Sequence, residues 1–105
     1  MKRVSIITPT GNRADFLVYA SKYFLSQTYP NIEWLIYDDS PVPNESLRGR
    51  EKDNIYYYYS KGAVSLGEKR NRLIEKATGE IIVHFDDDDY YAPNYVEKMV
   101  DTLEK

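Results

Sequence analysis

Hydrophobic residues along the chain fall into short runs separated by longer stretches with a mixed pattern. Four runs are rich in β-branched and aromatic residues, VSIITPT at 4–10, IEWLIYDDS at 32–40, IYYYYS at 55–60 and EIIVHF at 80–85. Such nearly continuous hydrophobic runs are typical of strands that are buried in a parallel sheet. The pattern therefore predicts four strands, the third with tyrosines on both of its faces.

Helical spacing of hydrophobic residues predicts a first helix within residues 11–31. Asn12 is a candidate N-cap, and Asp15 follows three residues later as a box-like partner. The stretch YPN at 29–31 should end the helix. The predicted inward face is formed by Phe16, Ala20, Tyr23, Phe24 and Gln27.

Two further helices are predicted in the second half of the chain. Ser65 and Glu68 form an S-x-x-E capping box, and Gly79 is placed to end the helix that starts there. Pro93 is suited to open a last helix. The buried face of that helix should carry Val96, Met99, Val100 and Leu103.

The predicted element order is β-α-β-loop-β-α-β-α, in which the loop spans 41–54 and holds at most one helical turn. Strands that alternate with helices predict an α/β fold with right-handed crossovers. We expect an open, mainly parallel four-stranded sheet flanked by helices, a Rossmann-like arrangement. The 105 residues suffice for one domain, 1–105, with one core.

Composition narrows the functional classes. With 42% hydrophobic and 30% charged residues the chain is expected to be a soluble globular protein, and a net charge of -3 gives no general attraction to nucleic acid. The chain has no cysteine, which excludes disulfides and thiolate metal sites and favours a reducing compartment, so we expect a cytoplasmic protein. No hydrophobic run is long enough to predict a transmembrane segment.

Polar and small residues follow each predicted strand. In an open parallel sheet, ligands bind beyond the carboxyl ends of the strands, so we expect these residues to meet at one rim. The rim collects hydroxyl groups and up to six carboxylates. Its members are Thr8, Pro9, Thr10 and Gly11 after the first strand, Asp38, Asp39 and Ser40 after the second, Ser60, Lys61 and Gly62 after the third, and Asp86, Asp87, Asp88 and Asp89 after the fourth.

Four adjacent carboxylates at 86–89 repel one another unless a cation offsets their charge. If the chain stays extended there, Asp86 and Asp88 project to one side and can hold one hard divalent cation. Mg²⁺ or Mn²⁺ fits oxygen ligands better than Zn²⁺ does. Because Mg²⁺ usually takes one or two carboxylates and leaves its other positions to phosphate oxygens, the ligand indicated is a diphosphate.

The predicted helix at Ser65 begins at the same rim, where free backbone N–H groups and the helix dipole favour an anion. Lys69 and Arg70 lie in its first turns. They would either face an anionic partner or form a solvated helix face, and the solvated face is the better interpretation from sequence alone.

Each candidate also has an interpretation without function. The acidic run could be a solvated turn after a strand, and Asp38 with Asp39 could form an Asx-type turn. His84 is expected to be buried or half-buried within its strand. The tyrosine run is most simply a strand.

The stretches VSIITPTGNRADFL, QTYPNIEWLIYDDS and GEKRNRLIEKATGEIIVHFDDDDYYAP together resemble the GT-A glycosyltransferases of family 2. The resemblance extends over nearly the whole chain in the family's order. It implies the nucleotide-sugar-binding half of a GT-A domain, with a UDP- or GDP-linked sugar as donor.

The resemblance also implies residue roles. Thr8, Pro9 and Asp39, with Asp38 beside it, match the family positions that hold the base. The family's D-x-D motif matches 86–88, so that Asp88 would ligate Mn²⁺ or Mg²⁺ and Asp86 or Asp87 would face the ribose. The GEKRN helix start would place Lys69 near the base or the diphosphate.

Two departures from the family pattern stand out. Many members carry an aromatic residue after the PT pair, where this chain has Gly11. Members are also more than twice as long, and their later half supplies the acceptor site and the general base. We therefore expect an isolated donor-binding half that self-associates through the face where a second half would pack.

Three functional hypotheses follow from these residues and motifs. The first is the donor-binding part of an inverting glycosyltransferase. The second is a metal-dependent nucleotide-sugar-binding module without transfer activity of its own. The third is a phosphoacceptor or phosphatase-like α/β domain, which would use an acidic metal pocket together with Lys61.

Overall fold

The computed structural model describes residues 1–104 and confirms the predicted α/β architecture. The strands form one parallel sheet in the order β3-β2-β1-β4. The elements are β1 (Val4–Thr10), α1 (Ala14–Leu25), β2 (Ile32–Asp38), a 3-10 helix (Glu51–Asp53), β3 (Ile55–Tyr59), α2 (Leu66–Lys76), β4 (Ile81–His84) and α3 (Tyr95–Glu104). The 3-10 helix is the single helical turn expected in the loop.

Helices cover both faces of the sheet. Helices α1 and α3 pack on one face, where Trp34, Phe24 and Val96 belong to the larger core cluster. Helix α2 packs on the other face, where Leu73 meets Ile7 and other residues of β1 and β2. As a result every residue of β1 and β2 is buried, including the polar ones, and both strands are rich in β-branched and aromatic residues.

The start of α1 differs from the prediction. Arg13 occupies the N-cap position without a side-chain hydrogen bond, whereas Asn12 adopts a left-handed conformation with φ of 55°. The Asn12 N–H donates to Ser40 Oγ at 2.7 Å, a tertiary contact that places this residue outside the helix. The helix also ends earlier than predicted, at Leu25, and it buries Leu17 while Phe16 is 43% exposed.

The predicted boundaries of α2 and α3 are confirmed in part. Ser65 caps α2 by accepting the Glu68 N–H at 3.2 Å, as its capping box predicts. Gly79 does not end this helix, which stops at Lys76, and it lies instead where the chain passes close to β1. In α3, which begins two residues after Pro93, the predicted Val96 and Val100 are buried, but Met99 and Leu103 are exposed.

The prediction for His84 is wrong, because β4 lies at the edge of the sheet and leaves this side chain exposed. The tyrosines of β3 do occupy both faces, as predicted: Tyr57 packs on the α1 side and Tyr58 on the α2 side. Within residues 1–104 the structure contains no helix whose length and apolar character would let it cross a bilayer.

Candidate functional site

A cleft of about 700 Å³ lies at the carboxyl ends of the strands. The polar residues that follow all four strands meet there. Of the candidate site residues singled out from the sequence, the cleft brings together Pro9, Thr10, Gly11, Asp39, Lys61, Gly62, Lys69, Arg70, Asp86, Asp87 and Asp88. Asn12, Arg13, Pro41, Ala63 and Leu66 complete its lining.

An ion pair between Asp39 and Lys69 forms one wall of this cleft. Lys69 Nζ lies 2.8 Å from Asp39 Oδ1, and the two side chains are only 10% and 12% exposed. The same ammonium group donates to the backbone carbonyl of Thr10 at 2.8 Å. Lys69 therefore belongs to the interior of the site, and its interpretation as part of a solvated helix face is wrong.

Asp39 is held on both carboxylate oxygens, because its Oδ2 accepts the backbone N–H of Val64 at 2.8 Å. Burial by itself raises the pKa of the Asp39 carboxyl. The hydrogen bond from Lys69, the Val64 N–H and the charge of Lys69 outweigh that effect and hold the pKa below its usual range. Asp39 is thus an ionised hydrogen-bond acceptor in the wall of the cleft.

The acidic run forms a turn after β4 instead of continuing as an extended strand. Asp87 Oδ2 accepts the hydroxyl hydrogen of Thr10 at 2.7 Å, which fixes that side chain against β1. The Asp86 N–H donates to the Tyr91 hydroxyl at 2.7 Å, and the Tyr91 ring stacks on Phe85 at 3.9 Å. The turn is therefore anchored through its backbone and through Asp87.

Anchoring the turn in this way leaves Asp86 and Asp88 exposed at the cleft. The negative charge of the turn changes the pKa of Asp89. Partial desolvation and repulsion from Asp88 and Asp86 raise it. A run of carboxylates that repel one another has an electrostatic reason to bind a cation.

The residues at the turn fit a metal ion that arrives with other ligands. Within residues 1–104 no three or more His, Asp or Glu side chains converge as a ready metal cage. Asp86 and Asp88 offer oxygen donors, which suit Mg²⁺ or Mn²⁺, and these ions commonly accept one or two carboxylates and take further oxygens from phosphates. The donor set therefore fits an ion shared with a diphosphate.

Thr8 and Asp38 lie behind the cleft wall and make their contacts within the protein. Thr8 is fully buried, donates to the Phe85 carbonyl at 2.7 Å and accepts the indole N–H of Trp34 at 2.8 Å. Asp38 Oδ2 accepts the Tyr57 hydroxyl at 2.5 Å. These hydrogen bonds hold the ends of β1 and β2 in place beneath the cleft. Neither Thr8 nor Asp38 lines the cleft itself.

Arg70 is a cleft residue that the sequence pattern assigns to a solvated face. Its Nε is buried and makes no hydrogen bond within residues 1–104. The sequence does contain a signal for its position, since Leu66, Lys69, Arg70 and Leu73 have the i, i+3, i+4, i+7 spacing of one helix face. In the structure Leu73 and Lys69 of that face are buried, and Leu66, Lys69 and Arg70 line the cleft.

Solved structures with the same fold include two with bound sugar nucleotides. One is S. aureus TarS 1–349 in complex with UDP-GlcNAc, with a TM-score of 0.74 and 22% identity over 97% of this chain and 31% of that chain. Another is the mannosyltransferase PcManGT from Pyrobaculum calidifontis in complex with GDP-Man and Mn²⁺, with a TM-score of 0.79 and 25% identity over 99% of this chain and 33% of that chain.

Sequence comparison gives the same relationship. An uncharacterised glycosyltransferase of Rickettsia conorii is 35% identical over an alignment of 105 positions, which covers 97% of this chain and 17% of that protein. The chain thus spans about a third or less of the length of these relatives. The model of glycosyl transferase family 2 matches residues 5–105. Because this model matches nearly the whole chain, the chain belongs to glycosyl transferase family 2.

Proposed function

We propose that this chain, residues 1–105, is the donor-binding part of an inverting glycosyltransferase, and that its cleft binds a UDP- or GDP-linked sugar with Mn²⁺ or Mg²⁺. One observation carries the proposal. A single cleft of about 700 Å³ contains a half-buried carboxylate, Asp39, at one place and two exposed carboxylates, Asp86 and Asp88, at another. A nucleotide-diphosphate sugar can use both kinds of carboxylate, the first as an acceptor for the base and the others as ligands of a metal ion shared with its diphosphate.

The metal end of the proposed site consists of Asp88 and Asp86. A divalent ion bound there would neutralise the charge that develops on the leaving diphosphate. Arg70 supplies a further positive charge to the cleft, and its Nε has no partner within residues 1–104. The amino terminus of α2 lines the same cleft and adds the favourable end of a helix dipole.

The nucleoside end of the proposed site consists of Asp39, Pro9 and Thr10. Thr10 is fixed by its hydrogen bond to Asp87. In the proposed complex the ribose lies between β1 and the acidic turn. Thr8 and Asp38 support this end from behind. Lys69 acts here through Asp39, because its ammonium group is already engaged by that carboxylate and by the Thr10 carbonyl.

In the proposed reaction an acceptor hydroxyl attacks the anomeric carbon of the sugar, and the nucleoside diphosphate leaves with inversion. The residues of this chain bind and orient the donor. We assign no general base to them, since no carboxylate of the cleft is left without a donor-binding role. The related chains are about three or more times longer than this one, which leaves the binding module without transfer activity as the second candidate.

The test is a calorimetric titration of UDP-GlcNAc and GDP-mannose with and without Mn²⁺. We expect Asp88→Asn to abolish the gain in affinity that Mn²⁺ provides, and Asp39→Asn to weaken binding about tenfold or more whether or not Mn²⁺ is present. Equal losses with equal metal dependence in the two variants would contradict this division of roles. Release of free sugar or transfer to an acceptor by the chain alone would reject the binding-module alternative.

A further inference from the structure

We propose that a groove beside the acidic turn is a second binding site, which takes an uncharged sugar ring of the acceptor. This aromatic groove has a volume of about 250 Å³ and is lined by Phe16, Tyr19, Tyr23, Asp87, Asp88, Asp89 and Tyr90. The inference rests on the proposed function, because it concerns the acceptor of the same reaction. It goes further in giving that acceptor a chemical class and a place on this chain.

Four aromatic side chains form the walls of the aromatic groove. Phe16, Tyr19 and Tyr23 have the i, i+3, i+7 spacing of one face of α1, and Tyr90 meets Tyr23 edge to face with ring centres 5.1 Å apart. Phe16, Tyr19 and Tyr90 are all exposed, Tyr90 to 70%. Aromatic rings in such a patch offer a flat apolar surface on which the C–H face of a sugar ring can stack.

Two of these rings also contact cations outside the groove lining. The charged groups of Arg13 and Lys22 lie 5.3 and 5.6 Å from the ring centres of Phe16 and Tyr19. A cation–π contact favours one orientation of the ring and occupies only one of its two faces. The aromatic walls are therefore partly ordered before a ligand arrives.

The charges along the groove select among possible ligands. Its charged groups are three carboxylates, and within residues 1–104 no lysine or arginine lines it. The neighbouring donor cleft, by contrast, is lined by four basic side chains as well as by its carboxylates. The groove therefore repels an anion, and a purely apolar ligand would leave the carboxylates without partners. A neutral ligand with many hydroxyl groups suits both the rings and the carboxylates.

Asp89 is the carboxylate that belongs to the groove alone. Asp87 and Asp88 line both the groove and the donor cleft, whereas Asp89 lines only the groove. Asp87 already accepts a hydrogen bond from Thr10, and Asp88 has a role at the metal ion in the proposed function. We therefore assign Asp89 to the sugar, as an acceptor for its hydroxyl hydrogens.

The position of the groove suits an acceptor. Because Asp87 and Asp88 line both sites, a sugar in the groove would lie next to the metal end of the donor cleft. Transfer requires the acceptor hydroxyl to be held beside the anomeric carbon that the diphosphate leaves. The volume of the groove is at the low end for small-molecule sites, so it fits a single sugar ring better than a nucleotide.

The experiment follows the backbone amide signals of the isotope-labelled chain by NMR while saccharides are added without metal. The neutral probes are methyl β-D-glucopyranoside, methyl α-D-mannopyranoside and N-acetyl-D-glucosamine, and D-glucuronate is the anionic counterpart. We expect at least one neutral probe to shift the signals of Tyr19, Asp89 and Tyr90 with a Kd of about 10 mM or tighter. Glucuronate should bind about fivefold or more weakly, because the carboxylates repel it.

Tyr90→Ala and Asp89→Asn test the aromatic wall and the carboxylate separately. Each should weaken binding of the best probe about fivefold or more. Tyr90→Phe keeps the ring and should retain the affinity within about twofold, which a merely structural loss in Tyr90→Ala would not predict. Leu25→Ala removes an exposed apolar side chain of α1 outside the groove and should follow the parent.

Calorimetry of the donor distinguishes the groove from the cleft. Tyr90→Ala should bind UDP-GlcNAc or GDP-mannose with Mn²⁺ as tightly as the parent does, because Tyr90 does not line the cleft. UDP or GDP with Mn²⁺ should leave the saccharide probe bound. Displacement of the probe would mean that the two are one site and would overturn this inference.

Two further results would overturn the inference and leave the proposed function intact. One is the absence of any shift at the groove with all neutral probes up to about 50 mM, including the case in which Tyr90→Ala abolishes self-association and a second copy covers the groove. The other is a shift at the groove with UDP-GlcNAc or GDP-mannose that UDP or GDP alone does not cause, since the donor's own sugar would then lie there. A parent that binds no sugar nucleotide would overturn the proposed function and the acceptor role with it.

Discussion

Two acidic residues, Glu33 and Asp39, are almost buried near opposite ends of β2. Different groups offset the cost of burying each negative charge. Asp39 is paired with a lysine in the cleft. Glu33, only 3% exposed, accepts the Ser5 hydroxyl hydrogen at 2.6 Å and the Thr78 N–H at 2.8 Å, and it pairs with Arg3 at 3.3 Å. A buried carboxylate with this many donors contributes to stability mainly because removing it leaves those donors unpaired.

Glu33 should make the stability of the fold depend on pH. Burial by itself raises the pKa of Glu33, but the hydrogen bonds from Ser5 and Thr78 and the charge of Arg3 hold it below its usual range. Because the folded pKa is lowered, the contribution is complete above the unfolded value of about 4.3 and is lost as pH falls through the folded value. We expect Glu33→Gln to cost about 1–3 kcal/mol at neutral pH and progressively less in acid.

Urea unfolding at a series of pH values measures this effect. Glu75→Gln, an exposed position on α2, is the matched control and should follow the parent curve. If the difference between Glu33→Gln and the parent stayed constant down to about pH 3, the carboxylate would not be the group that titrates.

At the same scale, the sequence predicts acidic site residues better than basic ones. Asp39 and the run at 86–88 directly follow strands, so knowing the strands places them at the rim. The burial of Lys69 depends on an ion pair with a residue of another element and on the space left by Gly11, neither of which appears in a local pattern. Helical spacing does group Lys69 and Arg70 on one face of α2 with Leu66 and Leu73, but basic residues on a helix usually indicate a solvated face, so the pattern gives only a weak signal.

Among the elements, the short link between α2 and β4 passes very close to the backbone at the start of β1. At Gly79 a Cβ atom would lie 2.6 Å from the Ser5 nitrogen and 2.8 Å from the Arg3 carbonyl oxygen. Both atoms belong to backbone that leads into or lies within the central strand β1, so they cannot move aside cheaply. Gly67, in the first turn of α2, has nothing within 4 Å of the same position.

These two glycines give a matched pair of substitutions. We expect Gly79→Ala to lower the free energy of unfolding by about 2 kcal/mol or more, because β4 must shift away from β1. Gly67→Ala should leave stability unchanged or raise it by up to about 1 kcal/mol, since alanine is the better helix former. Thermal unfolding of the two variants tests this prediction. If Gly79→Ala and Gly67→Ala melted at the same temperature, the close contact at Gly79 would relax without a cost in stability.

The elements differ in how far the sequence determines them. The two central strands are buried on both faces, and their runs of β-branched and aromatic residues predict them almost to the residue. The start of α1 cannot be predicted in this way, because Asn12 is drawn into a left-handed conformation by a bond to Ser40 in a distant loop. The local sequence favours Asn12 as the N-cap, but its hydrogen bond with Ser40 keeps it out of that position.

For the molecule as a whole, the sheet is covered on its faces but has β4 at one edge. Within residues 1–104 this strand pairs with β1 on one side, and its other side presents backbone groups that can pair with a second chain. The strand IIVH is short and largely hydrophobic, and its last residue, His84, is exposed. The sequence predicts self-association through an exposed face, and we propose this open side of β4 as its location.

Sedimentation equilibrium over a range of concentrations measures this association. We expect dimers or larger species of the parent chain at high concentration, and less association for His84→Lys, since a charged side chain at a sheet edge opposes pairing with another strand. Lys98→Met on α3 serves as a control away from this edge. A parent that remains monomeric at the highest concentrations, or a His84→Lys variant that associates as the parent does, would exclude β4 as the contact.

The pairing of β1 with β4 also determines when the cleft can come into existence. Thr8 and Thr10 donate hydrogen bonds to Phe85 and Asp87, each 77 residues further along the chain. These contacts of β1, the first strand, therefore cannot form until β4, the last strand, is in place. Contacts this distant in sequence slow folding, because the intervening chain must lose its freedom before they form. A refolding chain should thus acquire most of its helix before it can hold a nucleotide, and nucleotide binding would report that the final strand has docked.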